Sequence, residues 1–242
     1  APRRLIRSRI GANDHECRVF QQNRPRAAIR HRDPNRRQSS EDGSSSIFGL
    51  IEYRPMTVRE GGICARAIAY LKPMVQDSTP AISLSGEDSP VLRPLSDDLL
   101  VSYVVDASDH LAFVQHRHLE QECVSADQLH SIAVSNLQTL AEERLVVREY
   151  GSIYVALMGG NFEASLLMLD AMWNHWYAHV APRGFVAVAP ARDLLAFCDS
   201  SSAQGLVELR QVVERSGDCD HRLLPHLYRR IAGAWRQLLV TP

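Results

Sequence analysis

Lysine is almost absent. Lys72 is the only one in 242 residues, and the rest of the basic charge is arginine. That usage reads as the codon bias of a GC-rich genome rather than as a functional demand. Cysteine is sparse and unsuited to a shared site: Cys17, Cys64, Cys123, Cys198 and Cys219 are odd in number, widely spaced and form no CxxC pair. Neither a disulfide framework nor a thiolate zinc centre is expected, and a reducing cytoplasm is the simplest location. No apolar run approaches the roughly 20 residues that span a bilayer, and the first residues lack the apolar core of a secretory signal. Neither a membrane protein nor an exported one is expected.

Reaction-specific motifs are missing too. The chain has no GxxxxGK[ST], no GxGxxG, no HExxH, no GxSxG and no serine three residues before a lysine, so the familiar signatures of phosphate cradles, zinc proteases and activated serines are absent. His175 and His179 stand four apart, and His116 lies near His118 and Glu122. Two imidazoles do not complete a tetrahedral site, and no metal is expected. Ser165 within a helical pattern and Cys198 within an apolar strand read as packing residues. Asp106 and Asp109 read as ordinary turn residues.

What is present begins with an uneven charge. Residues 1–40 carry eleven arginines against three acids, a net +8, whereas the remainder carries sixteen bases against twenty-five acids, a net −9. Residues 1–46 show no sustained apolar period and end in a Gln, Ser, Asp and Gly run, so they read as a flexible, disordered arginine-rich arm. No aromatic interleaving or recognised module accompanies the arm, and nucleic acid is not an expected partner.

Residues 47–89 read as a small segment and connector: a strand over Ile47–Tyr53, a helix around Gly62–Met74 from the spacing of Ile63, Ala67, Ile68 and Leu71, and then a Pro- and Ser-rich link over 76–98. The better-patterned domain covers 90–242. Leu99–Val105 and Leu111–Val114 predict a hairpin, as do Leu145–Arg148 with Ile153–Met158, and Phe185–Ala189 with Leu194–Cys198. A helix with a capping Ser125 follows the first hairpin, and helices over 203–216 and 223–239 finish the chain. Phe162, Leu166, Leu169, Trp173, Trp176 and Val180 step by four, three, four, three and four, predicting one five-turn helix with an apolar stripe. Adjacent strand pairs separated by helices give an α+β class, with a mostly antiparallel sheet and helices packed on it.

The polar candidates cluster around that helix: Asn161, Glu163, Asp170, Arg192 and Asp193, with Tyr177 at its rim. Gly159-Gly160-Asn161 permits unusual backbone angles before a helix start, where amides attract anions. The architectural alternative has Asn161 capping the helix, Glu163 favouring its positive end, and Arg192 pairing with an acid such as Asp170.

Several of these segments together resemble the YtpQ-like bacterial proteins, a family classed as a domain of unknown function. The matching pieces are Pro94-Leu95-Ser96-Asp97-Asp98-Leu99 leading into Tyr103–Asp106, Ser135-Asn136-Leu137, the GGNFEASLLMLDAMW segment, and Val188-Ala189-Pro190-Ala191-Arg192-Asp193-Leu194-Leu195. The resemblance covers roughly residues 90–232. It implies a bacterial cytoplasmic protein of mixed helix and sheet, and it supplies no catalytic residue or cofactor.

The expected function is a protein-interaction module without catalytic residues, of accessory or immunity type, whose acidic main domain would steer a basic partner. An uncovered aromatic helix face would instead serve a homodimer. The rival expectation is an enzyme or small-ligand-binding protein using Asn161, Glu163, Asp170, Arg192 and Asp193. Convergence of those groups on one pocket would separate the two.

Overall fold

A computed structural model describes residues 61–74, 86–96, 98–107, 110–217, 222–223 and 225–238, with the backbone of Ala28–Ile29. In chain order its strands and α-helices are β1 (Ala28–Ile29), β2 (Ile68–Pro73), β3 (Leu92–Pro94), β4 (Leu99–Asp106), β5 (Leu111–Phe113), α1 (His116–Glu122), α2 (Ala126–Arg144), β6 (Val146–Tyr150), β7 (Ile153–Leu157), β8 (Phe185–Ala191), β9 (Leu194–Asp199), α3 (Ala203–Arg215), β10 (Leu227–Ile231) and β11 (Ala234–Gln237). Between β7 and β8 run three short helical turns, Ala164–Met168, Met172–Trp176 and Ala178–Val180.

The strands form two antiparallel sheets, one in the order β1-β6-β7-β9-β8-β10-β11, the other in the order β2-β4-β3 with β5 also on β4. The class is α+β, with every strand pairing antiparallel. The three expected hairpins are present as β4–β5, β6–β7 and β8–β9. The arm and the Ile47–Tyr53 strand lie outside the described residues, apart from Ala28–Ile29, which edges the larger sheet against Val147 and Arg148.

Burial explains the strand composition. On β8 and β9, Phe185, Ala187, Leu195 and Phe197 face the main core, while Val186, Val188, Ala196 and Cys198 meet Leu209 and Val212 of α3. Strands covered on both faces lose the polar alternation, which is why they read as continuous apolar runs. Helix α3 approaches the sheet closely at Gly205, where a Cβ would come within 2.8 Å of the Cys198 Cβ and 2.9 Å of the Ser152 carbonyl oxygen. Helix α2 starts as its sequence predicts. The Ser125 hydroxyl accepts from the Gln128 amide, and the Gln128 side chain accepts from the Ser125 amide.

Three expected helices are not helices of the expected kind. Residues 62–74 form a turn and then β2. Ala67–Leu71 are buried, and the run pairs with β4 along its whole length. A short apolar run fits helix or strand equally well by period, and here the distant partner β4 decides. The free edge of β2 is closed by side chains: the Ser165 hydroxyl accepts from the Leu71 amide, and the Asn136 amide group donates to the carbonyls of Ala65 and Ala67. The second half of the 76–98 link likewise contributes β3 to the smaller sheet.

Residues 227–237 form the β10–β11 hairpin rather than a terminal helix. Its two-residue loop holds Ala232 at φ 48° and Gly233 at φ 83°, the left-handed pair that a tight hairpin requires. Pairing of Leu227–Arg229 with β8 and burial of Trp235 override the helical spacing.

The five-turn helix over 162–180 is broken into a 3-10 turn, a π turn and a second 3-10 turn. Its stripe is buried as expected at Phe162, Leu166, Leu169 and Trp173. Ala164, Leu167, Met172 and Tyr177 are buried too. A segment wrapped by core on several sides gains more from fitting each side chain than from keeping one helical face outward. Trp173 is its anchor: the indole N–H donates to the Leu166 carbonyl, and its ring meets Phe185, Phe197 and Trp235 edge to face at 5.0–5.2 Å.

Candidate functional site

After β7 the chain turns through Gly159 at φ 106° and Gly160 at φ 92°, angles that only glycine adopts freely. The turn aims the amides of Met158, Gly160 and Phe162 at one point, and the carboxylate of Glu163 fills it. Its Oε1 accepts from the amides of Met158 at 2.8 Å and Gly160 at 2.7 Å, and its Oε2 accepts from Phe162 at 3.1 Å. Burial pushes the Glu163 carboxyl above its ordinary range, against the pull of the amides, with Asp193 adding to the rise. This is an anion nest occupied by the chain's own anion. The 3-10 turn that follows has no side-chain cap, so Asn161 does not have the capping role its position suggested.

Arg192 and Asp193 sit beside this nest, in the β8–β9 turn. The Ala164 amide donates to the Arg192 carbonyl at 3.0 Å, which pins that turn to the helical segment. Asp170 belongs elsewhere. Its partner is Arg230 of β10, which also reaches Asn174, and not Arg192. Arg230 is mostly buried, whereas Asp170 is three-quarters exposed. Arg192 and Arg230 line different cavities. Tyr177 is fully buried, with its ring 6.4 Å from that of Phe197, so it is a core residue and not a rim residue. Of the six candidates, Glu163, Arg192 and Asp193 are brought together, with Asn161 in the turn between Gly160 and Phe162, while Asp170 and Tyr177 are not.

Two thiols lie in the core, and the acids near them raise rather than lower their pKa. Burial, reinforced by Glu122, pushes Cys64 up to about 11, and burial with Asp199 and Glu208 pushes Cys198 up to about 12. Both are protonated at neutral pH and poor nucleophiles. Among the described residues no three His, Cys, Asp or Glu side chains gather as metal ligands would. His118 and Glu122 have architectural partners instead: His118 Nδ1 accepts from the Gln115 amide, and Glu122 accepts from the amides of Ile63 and Cys64.

Sequence reasoning missed a cleft between the two sheets. A cavity of about 430 Å³ is walled by Tyr70, Leu71, Pro73, Leu111, Phe113 and Leu223, with Lys72, Arg192 and Arg222 at its margin. Lys72 is half-buried on β2, its ammonium 4.5 Å from the centre of the Phe113 ring. Burial lowers the pKa of that ammonium. Arg222 is carried in by a bridge to Ala191 and by the Leu223 amide donating to Pro190. The one available signal was Lys72 itself, a single lysine in a chain that otherwise uses arginine.

A second feature is the outer edge of β11. Among the described residues no strand pairs beyond it. The Leu238 amide donates to Leu227, so by antiparallel alternation the amides of Trp235 and Gln237 point away from β10. Arg229 and Arg236 stand directly opposite one another on this hairpin, both exposed. Exposed Ile231 lies near its tip. No protein-family model, curated protein or solved structure matches the chain.

Proposed function

We propose that this chain is a bacterial cytoplasmic, YtpQ-like protein-interaction module without catalytic residues, of accessory or immunity type, whose partner adds to the outer edge of β11. The observation that carries the reading is the open edge beside the Arg229–Arg236 pair. An unpaired strand edge offers main-chain donors and acceptors to an incoming strand. Like charges opposite each other across a sheet are destabilising, and neither arginine has an ion-pair partner among the described residues. An acidic strand supplied by another protein, rather than the basic partner that net charge alone suggested, would relieve the repulsion while completing the ladder. The segments that carry the YtpQ-like resemblance all fall within or between elements of the two sheets and their helices, consistent with one domain.

The rival reading of one catalytic or ligand pocket built from Asn161, Glu163, Asp170, Arg192 and Asp193 is disfavoured, because Asp170 is engaged with Arg230 and the Glu163 oxygens are already filled. A photo-crosslinking residue placed at position 236 in the source cell tests the proposal, with the same residue at the exposed Asp127 position as reference. A protein captured from 236 and not from 127, and lost on Arg229→Glu with Ile231→Asp, supports the reading. Capture of the same proteins from both positions, or of none, refutes it.

A further inference from the structure

We infer that the cleft between the two sheets binds a small amphiphilic anion, a carboxylate, phosphate or sulfonate head on a flat apolar body. This inference is independent of the partner proposed for β11, which lies on a different surface. Its basis is the meeting of three cations from three separate stretches of chain. Lys72 comes from β2, Arg192 from the β8–β9 turn, and Arg222 from the segment bridged to Ala191. No carboxylate lines the cleft among the described residues. Three cations lining one cavity without a carboxylate among them leave an anionic group as the complementary ligand.

The walls define the rest of the ligand. Tyr70, Leu71, Leu111 and Phe113 line the same cavity as the three cations and give it apolar and aromatic wall. A volume of about 430 Å³ lies within the range of small-molecule sites, which combine apolar walls with a few placed polar groups. Lys72 is held over the Phe113 ring, so its ammonium is positioned before any ligand arrives. Arg192 is fixed at its backbone by the Ala164 amide, and its planar guanidinium suits a two-oxygen head. A free inorganic anion would use the margin and leave the walls wet; a neutral apolar molecule would use the walls and leave the cations unpaired.

The test uses the full chain and anilinonaphthalene sulfonate, an aromatic sulfonate whose fluorescence rises in an apolar site, with neutral phenylnaphthylamine as its uncharged counterpart. Saturable binding of one sulfonate per chain is expected, weakened about tenfold by Lys72→Gln and by Arg192→Gln, as loss of a charge-assisted contact implies. Arg93→Gln, which removes a cation paired with Asp127 on the surface, leaves it unchanged. Binding of the neutral counterpart is the same in all these proteins. Should either variant fail to fold, Arg222→Gln at the exposed margin gives the same comparison. Absence of saturable binding, or an affinity that none of the charge removals changes, overturns the inference, as does an equal loss for the neutral molecule.

Discussion

Removing the Glu163 side chain gives the sharpest account of what its carboxylate does. In Glu163→Ala three backbone amides lose their acceptor, those of Met158, Gly160 and Phe162. The Gly160 bond is only partly buried, so water replaces it at little cost. The bonds to Met158 and Phe162 are buried, and each orphaned donor costs about 1–3 kcal/mol. Part of that is returned because a buried charge need no longer be desolvated. The expected net loss is about 3 kcal/mol, read as a fall in the urea midpoint with an unchanged slope. A fall below about 1 kcal/mol would refute the reasoning and reopen Glu163 as a free functional acid. The pH dependence has a definite sign. Because burial raises the folded carboxyl above its ordinary 4.5, the folded state holds more protons in that interval. The contribution of this group to stability is therefore greatest below 4.5 and falls as pH rises through the folded value. Glu163→Gln removes that slope.

Other substitutions probe the packing that positions these groups. Gly205→Ala forces a methyl into the 2.8 Å gap to Cys198 and is expected to cost about 1–3 kcal/mol by calorimetry; a neutral effect would contradict the close helix–sheet approach. Trp173→Ala removes a fully buried ring and its bond to Leu166, with an expected loss of about 3–5 kcal/mol in chemical unfolding. An alkylating reagent at mildly alkaline pH should modify exposed Cys123 in the native protein and spare Cys64 and Cys198, as mass spectrometry of the labelled peptides would report. Labelling of Cys198 at the rate of Cys123 would contradict both its burial and its raised pKa.

The parts of this fold that could be read from sequence are those whose signals are local. Polar turns separate apolar strands at 106–110, 150–152 and 190–193, and each hairpin is where its turn predicted. Ser125 and Gln128 cap α2 through a mutual bond that needs no distant residue. The failures share a cause. Ile68–Pro73 and Leu227–Gln237 are strands because remote strands pair with them, and 162–180 is irregular because core surrounds it on several sides.

The candidate site was legible to the same degree. Glu163 stood out, and its double-glycine approach suggested amides that attract anions at a helix start, but not that Glu163 itself would accept from the amides of that turn. Arg192 was named with the wrong partner, because Arg230 was concealed within an expected helix. On a strand its side chain reaches Asp170 and Asn174 instead. The basic cleft could not be assembled at all, since Lys72, Arg192 and Arg222 are distant in the chain and meet only when the two sheets pack.

Backbone amide hydrogen exchange on the free protein tests the central claim most directly: the glycine nest is already filled while the β11 edge stands open. The account predicts strong protection at Met158 and Phe162 and rapid exchange at Trp235 and Gln237. Rapid exchange in the nest together with protection along that edge would contradict it.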